Sequence, residues 1–185
     1  HDLPDRVPII LYKTHSEFEQ QNVIPGASPE GVGAFAEPQR NRIVLPIDEA
    51  PDGLYRLITH ELTHIFAFDI IPRGMMSANI PLWVDEGLAD YMAGVWRPLD
   101  LMQVRDVAVS DTVPKMTRFD EYGGFTSARV VYNLGHAVFE YIEDGWGKEG
   151  VRQFLFSLRR SAVGGGSDPY EDTLDLTAEE FDEDF

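Results

Sequence analysis

The sequence predicts an α+β fold in which a small N-terminal sheet precedes a mainly helical part. Short apolar runs separated by glycine, proline and polar turns occupy the N-terminal quarter, whereas longer apolar segments with helical spacing follow. The chain has 185 residues, of which 43% are hydrophobic, so it is long enough to bury a sizeable core. We therefore expect a single domain over 1–185, cut out of a longer protein.

The predicted sheet comes from two apolar segments. VPIILY at 7–12 has the length and the branched residues of a buried strand. GVGAFAEPQRNRIVLP has the pattern of a hairpin, with arms near 32–36 and 42–46 around a polar turn. A capping pattern between the two segments predicts a short helix over 15–20. We expect a small mixed or antiparallel sheet with an edge strand over a cleft.

Proline marks the start of the two most apolar helices. Pro51 suits the first turn of a helix over 51–68, and Pro81 does the same for a helix over 81–94, because that position needs no backbone donor. Acidic residues carry all the charge of 168–185, which we expect to form an acidic C-terminal helix or tail. Helical periodicity predicts further helices at 98–109, 126–144 and 147–160.

The charge of the chain restricts its partners. The formal net charge is −17 at pH 7, so the phosphates of nucleic acid and of anionic membranes would be repelled. No apolar run reaches the roughly 20 residues of a membrane span. The chain has no cysteine for a disulfide or a thiolate metal ligand. These features predict a folded protein that binds no nucleic acid and spans no membrane.

The motif HELTH at 60–64 predicts a metal-binding helix. His60 and His64 are about one helical turn apart, so both imidazoles can bind one ion from the same face. Glu61 lies beside them and is placed to take a proton from an attacking water. A catalytic zinc usually has three protein ligands, and Glu86 in WVDEGLADY is the candidate for the third. The alternative is a chance match on a polar helix face, but the apolar residues around both histidines argue against it.

HELTH followed by WVDEGLADY resembles the gluzincin zinc metallopeptidases, most closely the bacterial peptidase-MA-like domains. Similar segments include RVPIILYKTHSEFEQ, GVGAFAEPQRNRIVLP and YNLGHAVFEYIEDGWGKEGVRQFL, so the resemblance covers most of the chain. It implies a zincin-like fold, one Zn2+ ion bound by His60, His64 and Glu86, and Glu61 as the general base. It also implies that Asp90, one turn after Glu86, accepts the other ring N–H of a ligand histidine.

An enzyme of this kind also needs a donor that stabilises the negative oxygen of the scissile carbonyl. The candidates are Arg129, Tyr132 and His136. Tyr132 ranks first, because peptidase-MA-like domains often carry a tyrosine at this place, with the spacing of Tyr132, Gly135 and Tyr141. The alternatives are that Tyr132 is a packed aromatic side chain and that His136 is either the donor or a core histidine.

The hairpin also has a predicted role. In gluzincins an edge strand beside the cleft binds the substrate as an added strand, and Gly33, Ala34 and Phe35 occupy the corresponding place. The alternative is a structural strand in which Gly33 allows a bulge. In related bacterial proteins such a domain often follows a signal peptide and precedes another region. The resemblance therefore implies an extracytoplasmic location, periplasmic or secreted, and a further C-terminal domain.

The sequence as a whole predicts a zinc-dependent peptide-bond hydrolase with a peptide or protein substrate. The alternative from another class is a catalytically inactive zinc-binding module that binds peptides or serves as a scaffold. Glu61 favours the enzyme, since a binding module has no use for a base beside the metal. Hydrolysis of a non-peptide amide is a third reading of the same residues.

Overall fold

The computed structural model describes residues 3–20, 33–37, 40–71, 80–94, 96–117, 128–166 and 168–185. These residues fall into two compact units, His1–Asp69 and Ile70–Phe185. That both units belong to one domain stays a prediction. The described part of the chain contains three strands and seven helices: β1 (Ile9–Tyr12), α1 (His15–Gln20), β2 (Phe35–Glu37), β3 (Arg42–Pro46), α2 (Pro51–Ile70), α3 (Leu82–Ala93), α4 (Pro98–Val109), α5 (Ala128–Ala162), α6 (Pro169–Leu174) and α7 (Ala178–Asp184).

The first unit contains a three-stranded mixed sheet with the order β1-β3-β2. β1 runs parallel to β3, with Ile9 opposite Ile43. β2 runs antiparallel to β3, with Phe35 opposite Val44, so the predicted hairpin is confirmed. Within the part of the chain that the structure describes, β2 is an edge strand. The α+β class and the mixed N-terminal sheet are confirmed as well.

The apolar face of α2 packs on this sheet. Ala34, Ile43 and Leu45 form a buried cluster with Ile65 of α2. Other apolar residues of α2 that join the cluster recur at helical spacing, which is why this segment forms a helix with one apolar face; they are Leu54, Leu57, Ile58 and Leu62. Because the histidines of HELTH lie at other positions of the same helix, they are left on its flank, only partly buried.

The prediction of β1 as a buried strand is wrong. Ile9 and Leu11 are 43% and 56% exposed, and the residues between and after them are partly buried. Among the described residues β1 pairs with β3 alone, and only one of its faces is covered by the first unit, where Tyr12 packs against Phe18. A short apolar run does not reveal whether one face or both faces of a strand are covered.

The second unit is built around α3 and α5. The predicted helices at 126–144 and 147–160 form one element whose helical backbone is interrupted at Gly147, at φ 69° and ψ 179°. Residues 126 and 127 lie outside the described part of the chain. α4 has the predicted bounds, and α3 differs from its prediction by one residue at each end.

The C-terminal segment forms two short helices, α6 and α7, where its acidic composition predicts one helix or a tail. The predicted capping box is present at α7, where Thr177 and Glu180 each bind the backbone N–H of the other. Phe181 of α7 is fully buried and contacts the ring of Tyr170 in α6. Among the described residues no helix is both long and apolar enough to cross a membrane.

Candidate functional site

The two histidines of HELTH lie together on α2. Their Nε2 atoms are 3.3 Å apart, and the two rings meet edge to face with centroids 4.9 Å apart. Two nitrogens that bind one zinc ion at about 2.0–2.1 Å with tetrahedral angles lie about 3.3–3.4 Å apart. The pair His60 and His64 is therefore spaced as two ligands of one zinc ion would be.

The same distance also fits a hydrogen bond between a protonated and an unprotonated imidazole nitrogen. In either arrangement both Nε2 atoms point to one place, because the helix sets the two side chains about one turn apart on the same face.

Glu61 is buried on the same helix, with 6% of its surface exposed. A buried carboxylate lowers the stability of the fold unless other groups stabilise its charge. Two threonines beside it donate their hydroxyls to carbonyl oxygens one turn earlier, Thr59 to Tyr55 at 2.9 Å and Thr63 to Thr59 at 2.8 Å, so both hydroxyls are satisfied within the helix. The predicted base thus sits next to the histidine pair on one helix.

Glu86 belongs to the second unit, on α3, where it is partly buried. It lies close enough to Tyr132 of α5 for its charge to act on the phenol. Burial of the phenol, and after it the charge of Glu86, raise the pKa of Tyr132 to about 12. Tyr132 therefore keeps its proton at neutral pH and can donate a hydrogen bond. Within this unit the structure brings the predicted third ligand and the predicted donor together.

A direct contact between two backbones sets this part of α3 against α5. A Cβ atom built on Gly87 would lie 2.4 Å from the carbonyl carbon of Gly135. A Cβ atom built on Gly135 would lie 2.2 Å from the carbonyl oxygen of Trp83. Only glycine fits at either position. Because Gly87 follows Glu86 and Gly135 is one turn from Tyr132, this contact fixes how the side chains of Glu86 and Tyr132 approach each other.

Asp90 is buried in the second unit, with 1% of its surface exposed, and forms an ion pair with Arg129 at 3.1 Å. Arg129 also donates two hydrogen bonds to Asp100 of α4, at 3.0 and 2.7 Å. Burial by itself would raise the pKa of Asp100, but the hydrogen bonds from Arg129 and Arg97 outweigh it and hold that pKa well below its usual range. Arg129, a sequence candidate for the carbonyl donor, is therefore engaged with two carboxylates.

His136 is buried in the second unit, with 4% of its surface exposed. Its ring stacks on Trp96 at 3.9 Å, and its Nε2 lies 3.4 Å from a carboxylate oxygen of Glu140. Trp96 also donates to Glu140, at 2.8 Å. These contacts are those of a core histidine and support the lower rank that the sequence gives to His136.

The predicted substrate-binding residues lie at the start of the edge strand. Phe35 is the first residue of β2, and its ring packs against Phe18 at 5.5 Å. Ala34 is buried in the core of the first unit, and a Cβ atom on Gly33 would meet only the side chain of Leu57, at 3.5 Å. Their role in binding a substrate stays a prediction.

The sequence did not reveal two parts of this arrangement. Asp100 of α4 and Arg97, which directly precedes α4 and binds Asp100, were not predicted. One available signal was the acidic residue in the apolar segment PLDLM, two residues after the proline that begins the helix. Gly87 was quoted only as part of a motif, although a glycine inside a strongly apolar helix often marks a close backbone approach.

Comparisons of this chain with protein-family models, with curated proteins and with solved structures find no match.

Proposed function

We propose that the protein is a zinc-dependent peptide-bond hydrolase of gluzincin type, with a zincin-like fold and a peptidase-MA-like site. His60, His64 and Glu86 bind one Zn2+ ion, and peptides or proteins are the substrates. The observation that carries the proposal is the 3.3 Å distance between the Nε2 atoms of His60 and His64, which suits two ligands of one zinc ion.

The donor types also fit zinc. Two imidazole nitrogens and one carboxylate oxygen form a ligand set that catalytic zinc sites use, with a fourth position left open. Among the described residues His60, His64 and Glu86 qualify as a group that could hold a metal ion. The histidines are in the first unit and Glu86 is in the second, so the complete set is part of this proposal.

The chain supplies the proton transfer. When bound, zinc acts as a Lewis acid that polarises the scissile carbonyl and lowers the pKa of its water towards neutrality. Glu61 takes the proton of the attacking water and then gives it to the leaving amine nitrogen. Its burial suits this role, because a proton held there is shielded from exchange with bulk water. Asp90 accepts a hydrogen bond from the other ring N–H of one ligand histidine and so fixes its ring.

Tyr132 donates a hydrogen bond to the substrate carbonyl oxygen as that atom becomes negative. Its nearness to Glu86, whose charge acts on the phenol, supports this role. We expect Tyr132→Phe to lower kcat by about 10²–10³ with KM nearly unchanged, the usual loss for one such donor. Steady-state cleavage of a peptide measures both constants.

Tyr141→Phe is the matched control for Tyr132→Phe, because Tyr141 lies on the same helix but packs against Phe181. It should keep the wild-type kcat. Full activity of Tyr132→Phe together with an inactive His136→Ala that retains zinc would assign the role to His136. If Tyr132→Phe and His136→Ala both keep the wild-type kcat, neither residue is the donor, and both only pack in α5.

The edge strand β2 offers the peptide a partner. Among the described residues β2 pairs only with β3. An extended substrate can add alongside its other edge, at Phe35 and at Gly33 and Ala34 just before it, where main-chain hydrogen bonds recognise any sequence. The resemblance to bacterial peptidase-MA-like domains adds an extracytoplasmic location and a further C-terminal domain to the proposal.

The second candidate function is a zinc-binding module without catalysis, which would use the same ligands to bind peptides or to support a scaffold. Incubation of the zinc-loaded protein with a mixed peptide library separates the two. We expect cleavage products that vanish with a zinc chelator and return when zinc is restored. Bound zinc without products from any peptide contradicts the hydrolase, and products from non-peptide amides alone contradict the substrate class.

A further inference from the structure

Two buried carboxylates of the second unit share one arginine. Asp90 of α3 and Asp100 of α4 are 1% and 4% exposed. Arg129 of α5 lies between them, with Nη2 at 3.1 Å from Asp90 and 2.7 Å from Asp100. With Arg97, which also pairs with Asp100, the cluster holds two negative and two positive charges. The bridge formed by Asp90, Arg129 and Asp100 therefore joins α3, α5 and α4, and with Arg97 the charges of the cluster balance.

Asp100 fixes the orientation of Arg129. The guanidinium group donates from Nε and Nη2 to the two oxygens of Asp100, at 3.0 and 2.7 Å. Because the guanidinium is planar, two parallel hydrogen bonds set the direction of its remaining N–H groups. Asp100 is itself held by Arg97, which binds both carboxylate oxygens at 2.7 and 3.2 Å.

We propose that Asp100 is a positioning residue, which acts through Arg129 to hold the carboxylate of Asp90 in one orientation. The inference rests on the proposed function, in which Asp90 fixes a ligand histidine. Arg129 also lies over the ring of Tyr132, at 5.9 Å from its centre. One arginine, oriented from α4, thus contacts both the proposed partner of a zinc ligand and the proposed carbonyl donor.

The test compares the zinc affinity of a variant that removes the charged partner of Arg129 with that of a variant that leaves this partner in place. Asp100→Asn keeps the shape of the side chain but removes its charge and half of its acceptors for Arg129. We expect it to bind zinc about 10–100-fold more weakly, the usual effect of removing a group that supports a ligand. Affinity is measured by competition with a chromophoric chelator, and the unfolding midpoint in urea is measured without zinc.

Ser157→Ala is the control, because Ser157 is fully buried on α5 and its hydroxyl donates to Asp172 at 3.0 Å, and neither of these residues belongs to the cluster around Arg129. We expect it to lower the unfolding midpoint without changing zinc affinity. Zinc affinity of Asp100→Asn equal to that of the wild type would overturn the proposal. So would an equal loss of affinity in Ser157→Ala, since the effect would then follow stability.

Two further measurements cover the other outcomes. If Asp100→Asn does not fold, Arg129→Lys replaces it, because lysine keeps the charge but lacks the fork that binds two carboxylates; unchanged zinc affinity in that variant overturns the proposal. If the wild type binds no zinc, the proposed function fails. The role of Asp100 is then tested by the urea unfolding of the metal-free protein. The effects of Asp90→Asn and Asp100→Asn on the urea midpoint should be non-additive, and additive effects overturn it.

Discussion

Replacement of Glu61 by glutamine is expected to abolish turnover while zinc stays bound. The amide cannot take the proton of the attacking water, and general acid–base catalysis contributes about 10²–10⁴-fold to the rate. The substitution keeps the shape of a side chain that is 6% exposed on α2, so the fold should be retained. Peptide cleavage measures kcat, and atomic absorption measures the zinc content of the same sample.

Asp52→Asn is the matched control for Glu61→Gln, because it removes one carboxylate from the exposed first turn of the same helix. It should retain wild-type kcat and zinc. If Glu61→Gln turns over substrate at the wild-type rate, Glu61 is not the base. If it loses zinc, Glu61 takes part in metal binding, and the assignment of ligands is wrong.

Replacement of Gly135 by alanine is expected to destabilise the second unit strongly. The new Cβ atom would lie 2.2 Å from the carbonyl oxygen of Trp83 and 2.9 Å from the Cα of Gly87, both of them backbone atoms. The helices would have to separate, and overpacking of this kind costs about 1–3 kcal/mol and sometimes more. This cost exceeds the gain of about 1 kcal/mol that alanine brings in helix propensity.

Denaturant unfolding measures the effect of Gly135→Ala, and Gly145→Ala provides the control. Gly145 lies on the same helix, and a Cβ atom built on it would have no neighbour within 4 Å. Gly145→Ala should therefore unfold at the same or a higher denaturant concentration than the wild type. Equal midpoints for the two variants would mean that α3 and α5 do not approach as closely as the structure has them.

The helical elements followed closely from the sequence where a start signal and an apolar period coincided. α4 begins at Pro98 and ends at Val109, as predicted. The exposure of β1 did not follow, because what covers a strand depends on tertiary contacts that a run of apolar residues does not encode. α6 is a short helix capped by Asp168 with Pro169 in its first turn. It was not predicted separately, because the capping aspartate lies in a segment that is acidic throughout.

Spacing along the sequence predicts the candidate site best where its residues are neighbours on one element. The spacing of His60 and His64 gave their shared direction on α2, and the 3.3 Å distance between their Nε2 atoms agrees with it. The bridge from Asp90 through Arg129 to Asp100 was not predicted. Its members come from three helices, and no local spacing rule connects residues that meet only through tertiary packing.

A crystal structure of the protein grown with zinc tests the central claim most directly. The account predicts one ion per chain, with His60 Nε2, His64 Nε2 and a carboxylate oxygen of Glu86 at about 2.0–2.2 Å from it in tetrahedral geometry. A zinc ion bound without Glu86, or bound elsewhere while His60 and His64 share a proton, would contradict it.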